Sequence, residues 1–310
     1  MTSANETGLL KKQARAAKWK SYVFPTVMLA YPVVQVLIFY FGVNINSLLL
    51  AFKLYDDAGG YTWAGFENFR TVFYELFHDP TFSAGIRNSL ITLAVSVFIT
   101  TPLSTLFSYY VYKRYRGAEF FKVMLVLPMI TSTLVMVLTF TGFVDRFLPQ
   151  FMEKHFGVNM VNLVSNTNTQ LYVLLFYAVL VGFGSSSLLY LGAMNGISPE
   201  MIEAGKMDGV TPFREFIHLV VPSIYGTFGT LIIVAVAGVF TNQLNLYSFF
   251  GTGAQPQNST IGYYLYTQTQ AASVAGYPRL AAMGIIFTLI VAPVTLLVRY
   301  IINKFDPMGE

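Results

Sequence analysis

The sequence predicts an all-α membrane protein of about six transmembrane helices, with both termini cytoplasmic and a charged cytoplasmic loop between spans 4 and 5. Three observations predict it. Of 310 residues, 55% are hydrophobic and only 11% are charged, and mean hydropathy is +0.56; a soluble domain usually carries about 25% charged residues. So apolar a chain cannot cover itself with enough polar surface to stay in water, so the bilayer is its solvent. The apolar residues also gather in stretches of about 20, the length that crosses the hydrocarbon core. Finally, the Lys and Arg residues divide unequally between alternate flanks of those stretches.

The spans fall at 22–43, 89–112, 120–144, 171–194, 223–249 and 280–302. The first is too long for a cleaved signal peptide, and no small-x-small site follows it, so it stays as a helix. Before it lies a polar tail, residues 1–20, whose Lys11, Lys12, Arg15, Lys18 and Lys20 suit either a short interfacial helix or a plain positive-inside anchor. One side of the membrane receives 13 of the 19 Lys and Arg residues, among them Lys113, Arg114, Arg116, Lys122, Lys206, Arg214, Arg299 and Lys304. The other receives 6: Lys53, Arg70, Arg87, Arg146, Lys154 and Arg279. The richer side is cytoplasmic, and it holds both termini and the loop at 195–222. The first outer loop is acidic (Asp56, Asp57, Glu67, Glu75, Asp79) and aromatic (Tyr61, Trp63, Phe66, Phe69), which suits a segment lying along the outer surface. Residues 21–310 form one transmembrane domain, with no low-complexity segment and no clear repeat.

Several function classes drop out. The chain has no cysteine, which excludes disulfides, thiolate metal sites and cysteine nucleophiles. The net charge of +4 is spread along the chain, so it reads as orientation and not as a nucleic-acid patch. No span has an ionisable residue near its middle; Arg87, Asp145, Arg146, Arg279 and Arg299 sit at span ends. An ion- or proton-coupled carrier normally keeps such a residue inside the bundle. This weakens a proton-coupled reading, although backbone carbonyls can bind Na⁺ without carboxylates; uphill transport by this chain is expected to take its energy from elsewhere.

Uncharged polar residues do gather late in the fifth span: Thr241, Asn242, Gln243, Asn245, Tyr247 and Ser248. They suit hydrogen bonding between helices, or the helix end reaching headgroups. They also suit a neutral polyhydroxylated ligand, because amides donate and accept to hydroxyls while Phe240 and Tyr247 offer faces to a sugar ring.

Between spans 4 and 5 stands SPEMIEAGKMDGVTPFREFIHLVVPS, residues 198–223, an island of charge in an apolar half. Ser198-Pro199 is a helix start, N-cap followed by proline. The first helix runs to about Met207 and closes at Asp208-Gly209, where glycine takes the left-handed conformation. Thr211-Pro212 repeats the start, and Phe213, Phe216, Ile217 and Val220 form an apolar stripe up to Pro222. Gly205-Lys206 is not a nucleotide loop, since that motif needs Gly at 200 and Ser or Thr at 207, where this chain has Glu200 and Met207. Two capped helices with an apolar stripe suit a docking knob for a soluble partner better than a solvated connection.

Glu203-Ala204-Gly205-x3-Gly209-x9-Leu219-x-Val221-Pro222 resembles the E-A-A-x3-G-x9-I-x-L-P signature (the EAA motif) of permease subunits in binding-protein-dependent ABC importers. Asp208 fits the usual Asp-Gly pair. Gly205, Leu219 and Val221 depart from the signature by small or apolar swaps, and Gly205 is expected to loosen the first helix. From about Trp63 onward the chain also resembles the carbohydrate-uptake branch, of the maltose/glycerol-3-phosphate first-permease type. The resemblance is carried by Trp63-Ala64-Gly65-Phe66-Glu67-Asn68-Phe69, Arg87-Asn88-Ser89-Leu90, Phe120-Phe121-Lys122 to Leu127-Pro128, Thr252-Gly253-Ala254-Gln255-Pro256 and Ile261-Gly262-Tyr263-Tyr264-Leu265-Tyr266.

The resemblance implies a non-catalytic subunit of the cell membrane. It implies that Glu203, Ala204, Gly205, Asp208, Gly209 and Pro222 couple the chain to a cytoplasmic ABC ATPase dimer. ATP and Mg would be bound by that partner, with no cofactor in this chain. A second homologous permease, as a heterodimer, and an extracytoplasmic solute-binding protein complete the expected assembly, and a sugar is the expected substrate. Asn242 is carried over as a substrate contact, with Gln243, Asn245 and Tyr247 added on their chemistry. Two readings stay open beside it: an ABC permease for a polyol phosphate, amino acid or peptide, and a self-contained secondary carrier.

Overall fold

The computed structural model describes residues 22–56 and 59–307. The basic tail at 1–20 and Asp57 lie outside the described residues. The chain divides into two compact units, one of residues up to Phe69 with Val274–Ile285, the other Arg70–Ser273 with 286 onward.

The first unit begins with α1 (Tyr22–Leu50), apolar on every side and with none of its hydrophobic window buried. A helix of that kind needs lipid or a partner around it. The outer loop that follows is folded. Strands β1 (Lys53–Tyr55) and β2 (Tyr61–Trp63) pair antiparallel, with Lys53 opposite Trp63. So short a hairpin is marginal alone; here Phe52 stacks on Trp63 at 5.7 Å and meets Phe66 and Phe69 at 5.4 and 5.0 Å. Asn68 Nδ2 donates to the carbonyls of Ala51 and Lys53 at 3.0 and 2.7 Å. Tyr61 donates its hydroxyl to the Val274 carbonyl at 2.9 Å.

Helix α2 (Glu67–His78) leads to α3 (Pro80–Tyr112), which starts where the Asp79 carboxylate accepts from Thr81 N and Pro80 takes the first helical position. Next come α4 (Ala118–Ile130), α5 (Thr133–Phe156) and α6 (Thr167–Met194). The second half of α3 packs along α6 through small hydroxylated residues, with Ser104 and Ser108 donating to the carbonyls of Phe183 and Ser187 at 3.3 and 2.8 Å. Small side chains of this kind let helix backbones approach in a membrane, where apolar surface alone gives no net attraction. Helix α4 lies on α6 as well, and a Cβ on Gly184 would sit 2.8 Å from the Leu125 carbonyl oxygen.

Beyond α6 follow α7 (Pro199–Met207), α8 (Pro212–Ser223), α9 (Tyr225–Ala237), α10 (Leu246–Phe250), α11 (Ile261–Ala271) and α12 (Tyr277–Lys304). Helices α1, α3, α5, α6 and α12 are each long and apolar enough to cross a bilayer, and the bent pair α8–α9 can supply a sixth crossing.

Two predicted spans are not single helices. The stretch 120–144 breaks at Thr131–Ser132, and the spanning helix is α5, running on to Phe156. With 13 residues, α4 is about 20 Å long, short of the hydrocarbon thickness. Pro128 interrupts its hydrogen-bond ladder, and Thr131 turns extended while its hydroxyl donates to the Leu127 carbonyl at 2.8 Å. The side chain thus satisfies the group that its own N–H would bond in a continuing helix.

The stretch 223–249 is broken twice. Helices α8 and α9 meet at 69° around Ile224, and α9 stops at Gly238, after which the chain turns until α10. Leu244 and Asn245 have φ of 51° and 55°, so no right-handed helix can run through them.

Candidate functional site

Two features concentrate polar groups in the second unit: the α7–α8 loop and the turn between α9 and α10.

The loop is built as its sequence indicates. The Ser198 hydroxyl accepts from Met201 N and donates to Glu200 Oε2 at 2.6 Å, and that bond holds the Glu200 carboxyl below its ordinary pKa. Helix α7 closes when Asp208 N bonds the Ala204 carbonyl and Val210 N the Gly205 carbonyl, with Gly209 at φ +72°. Thr211 precedes Pro212 in extended conformation, but its hydroxyl caps nothing. Helix α8 ends at Ser223, one residue past Pro222; a single wide turn, Val221 N to the Phe216 carbonyl, precedes the proline.

The two helices fold onto the bundle end. Ile202, Phe216, Val220 and Ile224 join Tyr109 of α3 and Tyr190, Met194 and Ile197 of the α6 end in one buried cluster. Gly205 is buried in this packing, and a Cβ there would lie 2.7 Å from Leu219 Cδ1. Helix α7 runs unbroken through this glycine, which leaves room for the leucine that replaces isoleucine further along the motif.

The opposite face is left open. Glu203, Ala204, Asp208 and Gly209 are exposed, Met207 stands 89% exposed and Phe213 69%. Pro222 is half-buried beside the bend.

One carboxylate breaks this pattern. Glu215 is only 4% exposed. Lys113 Nζ, just past the end of α3, donates to its two oxygens at 2.8 and 3.0 Å. The Tyr109 hydroxyl lies 3.2 Å from Glu215 Oε1 and 2.9 Å from the Pro212 carbonyl. Sequence reading missed this pair; its only signal is an acid set between Phe213 and Phe216 in an apolar stripe.

The second feature is the α9–α10 turn, which carries Asn242, Gln243 and Asn245, with Tyr247 in the first turn of α10. Asn242 is exposed, and its Oδ1 accepts from Leu244 N at 2.8 Å, so it shapes the turn. Gln243 and Asn245 are half-buried, and their amides bond no other described residue. Tyr247 is exposed, with its ring edge-on to Tyr266 at 4.9 Å. The structure therefore places Asn242, Gln243 and Asn245 on one irregular turn and Tyr247 on the short helix that follows it, rather than all four on the face of one continuous helix. Non-helical backbone at membrane depth is tolerated only inside protein or beside a water-filled cavity.

What holds the turn open was not legible in the polar cluster itself. Thr260 Oγ1 donates to the Asn242 carbonyl at 2.8 Å, and a Cβ on Gly262 would meet the carbonyl oxygens of Thr241 and Asn242 at 2.6 and 2.7 Å. That segment is anchored in turn. Asn88, fully buried in α3, donates to the Gln257 and Ser259 carbonyls, both at 2.9 Å. Ser89 Oγ accepts from Ile261 N, while Asn258 donates to Gln170 Oε1 and the Thr167 carbonyl, both at 2.8 Å. A belt of buried amides and hydroxyls thus ties α3 and α6 to the start of α11. Asn88 and Ser89 lie inside the Arg87-Asn88-Ser89-Leu90 stretch, so the signal was present without its meaning.

Comparison with known proteins agrees with this architecture. The arabinooligosaccharides transport system permease protein AraP of Bacillus subtilis (strain 168) is 23% identical over 318 aligned positions, covering 98% of this chain and 99% of AraP. The sn-glycerol-3-phosphate transport system permease protein UgpA of Shigella flexneri is 21% identical, over 92% of this chain and 96% of its own. A bacterial ABC transporter involved in import of the acidic polysaccharide alginate superposes with a TM-score of 0.73 at 20% identity, over 96% and 99% of the two chains. The model of the binding-protein-dependent transport system inner membrane component family matches residues 81–307, from the start of α3 past the end of α12. This chain belongs to that family, as a multi-pass membrane permease subunit.

Proposed function

We propose that this chain carries a neutral sugar or oligosaccharide across the cell membrane into the cytoplasm, driven by ATP hydrolysis in a separate subunit. The observation that carries the reading is the charge-free α9–α10 turn. The side-chain amides of Gln243 and Asn245 have no partner there among the described residues, beside exposed Tyr247, while no Asp, Glu, Lys or Arg occurs from Leu219 to Pro278. Hydroxyls can both donate to and accept from such amides, and an aromatic face suits the apolar side of a pyranose. A carboxylate or phosphate ligand would call for an Arg or Lys that this stretch does not supply. AraP, named for arabinooligosaccharides, is consistent with a sugar.

The chain performs no chemistry in this scheme. The exposed edge of α7–α8, with Glu203, Ala204, Met207, Asp208 and Gly209, docks on the ATPase. Closure of an ATPase dimer around ATP and Mg displaces the loop, and the bundle, paired with a second homologous permease, exchanges inward-facing for outward-facing. A solute-binding protein then delivers the sugar from outside; one alginate transporter of this fold was solved together with a periplasmic protein holding an alginate pentasaccharide.

The test is ligand-stimulated ATP hydrolysis by the assembled complex, across neutral sugars, sugar phosphates and amino acids. Stimulation by neutral sugars is expected, and stimulation by charged ligands alone would reject the reading of the turn. Glu203→Lys should abolish uptake while leaving insertion intact.

A further inference from the structure

The α7–α8 loop is polar, exposed and cytoplasmic, yet it buries a carboxylate. Among the described residues Glu215 is the one charged side chain that is buried. Burying a carboxylate costs several kcal/mol of hydration, and replacing such a pair by apolar residues is often neutral or stabilising. Stability alone is therefore a poor reason for its presence, and the better-attested use of a buried polar contact is to fix one register against others.

The location says which register. Lys113 is the first residue beyond α3, and its N–H still bonds the Tyr109 carbonyl. Its ammonium grips both oxygens of Glu215, at the first turn of α8. The rest of the loop's attachment is the apolar cluster of Ile202, Phe216, Val220 and Ile224 against Tyr109, Tyr190 and Met194. Apolar contacts are non-directional and allow one helix to slide on another. The ion pair is directional, and Tyr109, bonding near both Pro212 and Glu215, adds a second fixed point on the same helix.

We propose that Lys113 and Glu215 are positioning residues that pass movement of the docking loop to the cytoplasmic end of α3, so that ATP hydrolysis and solute movement stay coupled. The proposal rests on the docking role of α7–α8 given above. It concerns what happens after docking: without the pair the loop still binds and still moves, but it slips on its apolar bed. The partners are unequal. Lys113 is the more exposed of the two, at 17% against 5% for the side chains, and its long stem lets the ammonium reach water if the carboxylate is lost. Glu215 has no such escape.

The experiment uses the full complex in liposomes, reading solute uptake and ATP hydrolysis in one preparation. Glu215→Gln and Lys113→Met should each lower solute carried per ATP by about fivefold or more, with Lys113→Met the more severe, while the ATPase remains bound and active. Lys113→Arg, which keeps the charge pair, should retain the wild-type ratio. An unchanged ratio in both neutralised variants overturns the proposal. So does loss of the bound ATPase at an unchanged ratio, the mark of a pair that only shapes the knob. If the unsubstituted complex shows no sugar-dependent ATP hydrolysis, the functional reading falls instead, before any substitution is made.

Discussion

Two glycines show how much a single residue's neighbour decides. A Cβ at Gly205 and one at Gly262 would each come within 2.7 Å of another atom, closer than real side chains allow. At Gly205 that atom is Cδ1 of Leu219, the tip of a side chain that can change rotamer. At Gly262 the atoms are the carbonyl oxygens of Thr241 and Asn242, the latter held by the Thr260 hydroxyl. Gly205→Ala should therefore be close to neutral, its gain in helix propensity of about 1 kcal/mol offsetting the shift of Leu219. Gly262→Ala should destabilise by about 1–3 kcal/mol, since backbone must move. Thermal unfolding of the purified chain in detergent checks both. Equal loss in the two variants would contradict the distinction, and a clear gain in stability in Gly205→Ala would support the idea that the glycine weakens the loop.

At the scale of elements, the helices with their own punctuation were the most legible. Ser198-Pro199 and Gly209 bound α7 where the sequence places them, because capping is local chemistry between residues two or three apart. Pro222 marks the end of α8 to within one residue, since the helix stops at Ser223 and bends at Ile224. The breaks at Thr131 and at residues 238–245 were hidden. Hydropathy reports which residues prefer lipid and does not report whether their backbone is helical, so uncharged polar residues such as Thr241, Asn242 and Gln243 could be read as the end of a helix. The α9–α10 turn is specified from outside, by Asn88, Thr260 and Gly262, and nothing within its own residues announces those partners. The same turn allows its structural and ligand-binding roles to be separated. Asn245 has φ of 55°, which asparagine and glycine accept but a β-branched residue does not. Asn245→Val should destabilise the protein by about 1–2 kcal/mol. Asn245→Gly should leave unfolding unchanged yet weaken sugar-stimulated ATP hydrolysis several-fold in KM, the scale of one lost hydrogen bond of about 1 kcal/mol. An Asn245→Gly complex with unaltered KM would remove Asn245 from the substrate site.

For the molecule as a whole, the division of charge is the feature from which orientation follows. With 13 of 19 basic residues assigned to one side, the positive-inside rule predicts that the α7–α8 loop is cytoplasmic and that the segment 53–63 is outside. The absence of cysteine makes the assignment directly testable, because a single introduced thiol has no background. Met207→Cys sits on the exposed face of α7, and Thr62→Cys on exposed β2. In intact cells a membrane-impermeant maleimide should label Thr62→Cys and not Met207→Cys, and in inverted vesicles the preference should reverse. Orientation and docking can then be read from one residue. If the exposed face of α7 meets the ATPase, adding that subunit to inverted vesicles should slow labelling of Met207→Cys by about tenfold, as burial in a protein interface removes the thiol from solvent. Thr62→Cys should be unaffected by it. Labelling of Met207→Cys from outside would overturn the topology, whereas inside labelling without protection would keep the topology and dismiss α7 as the contact.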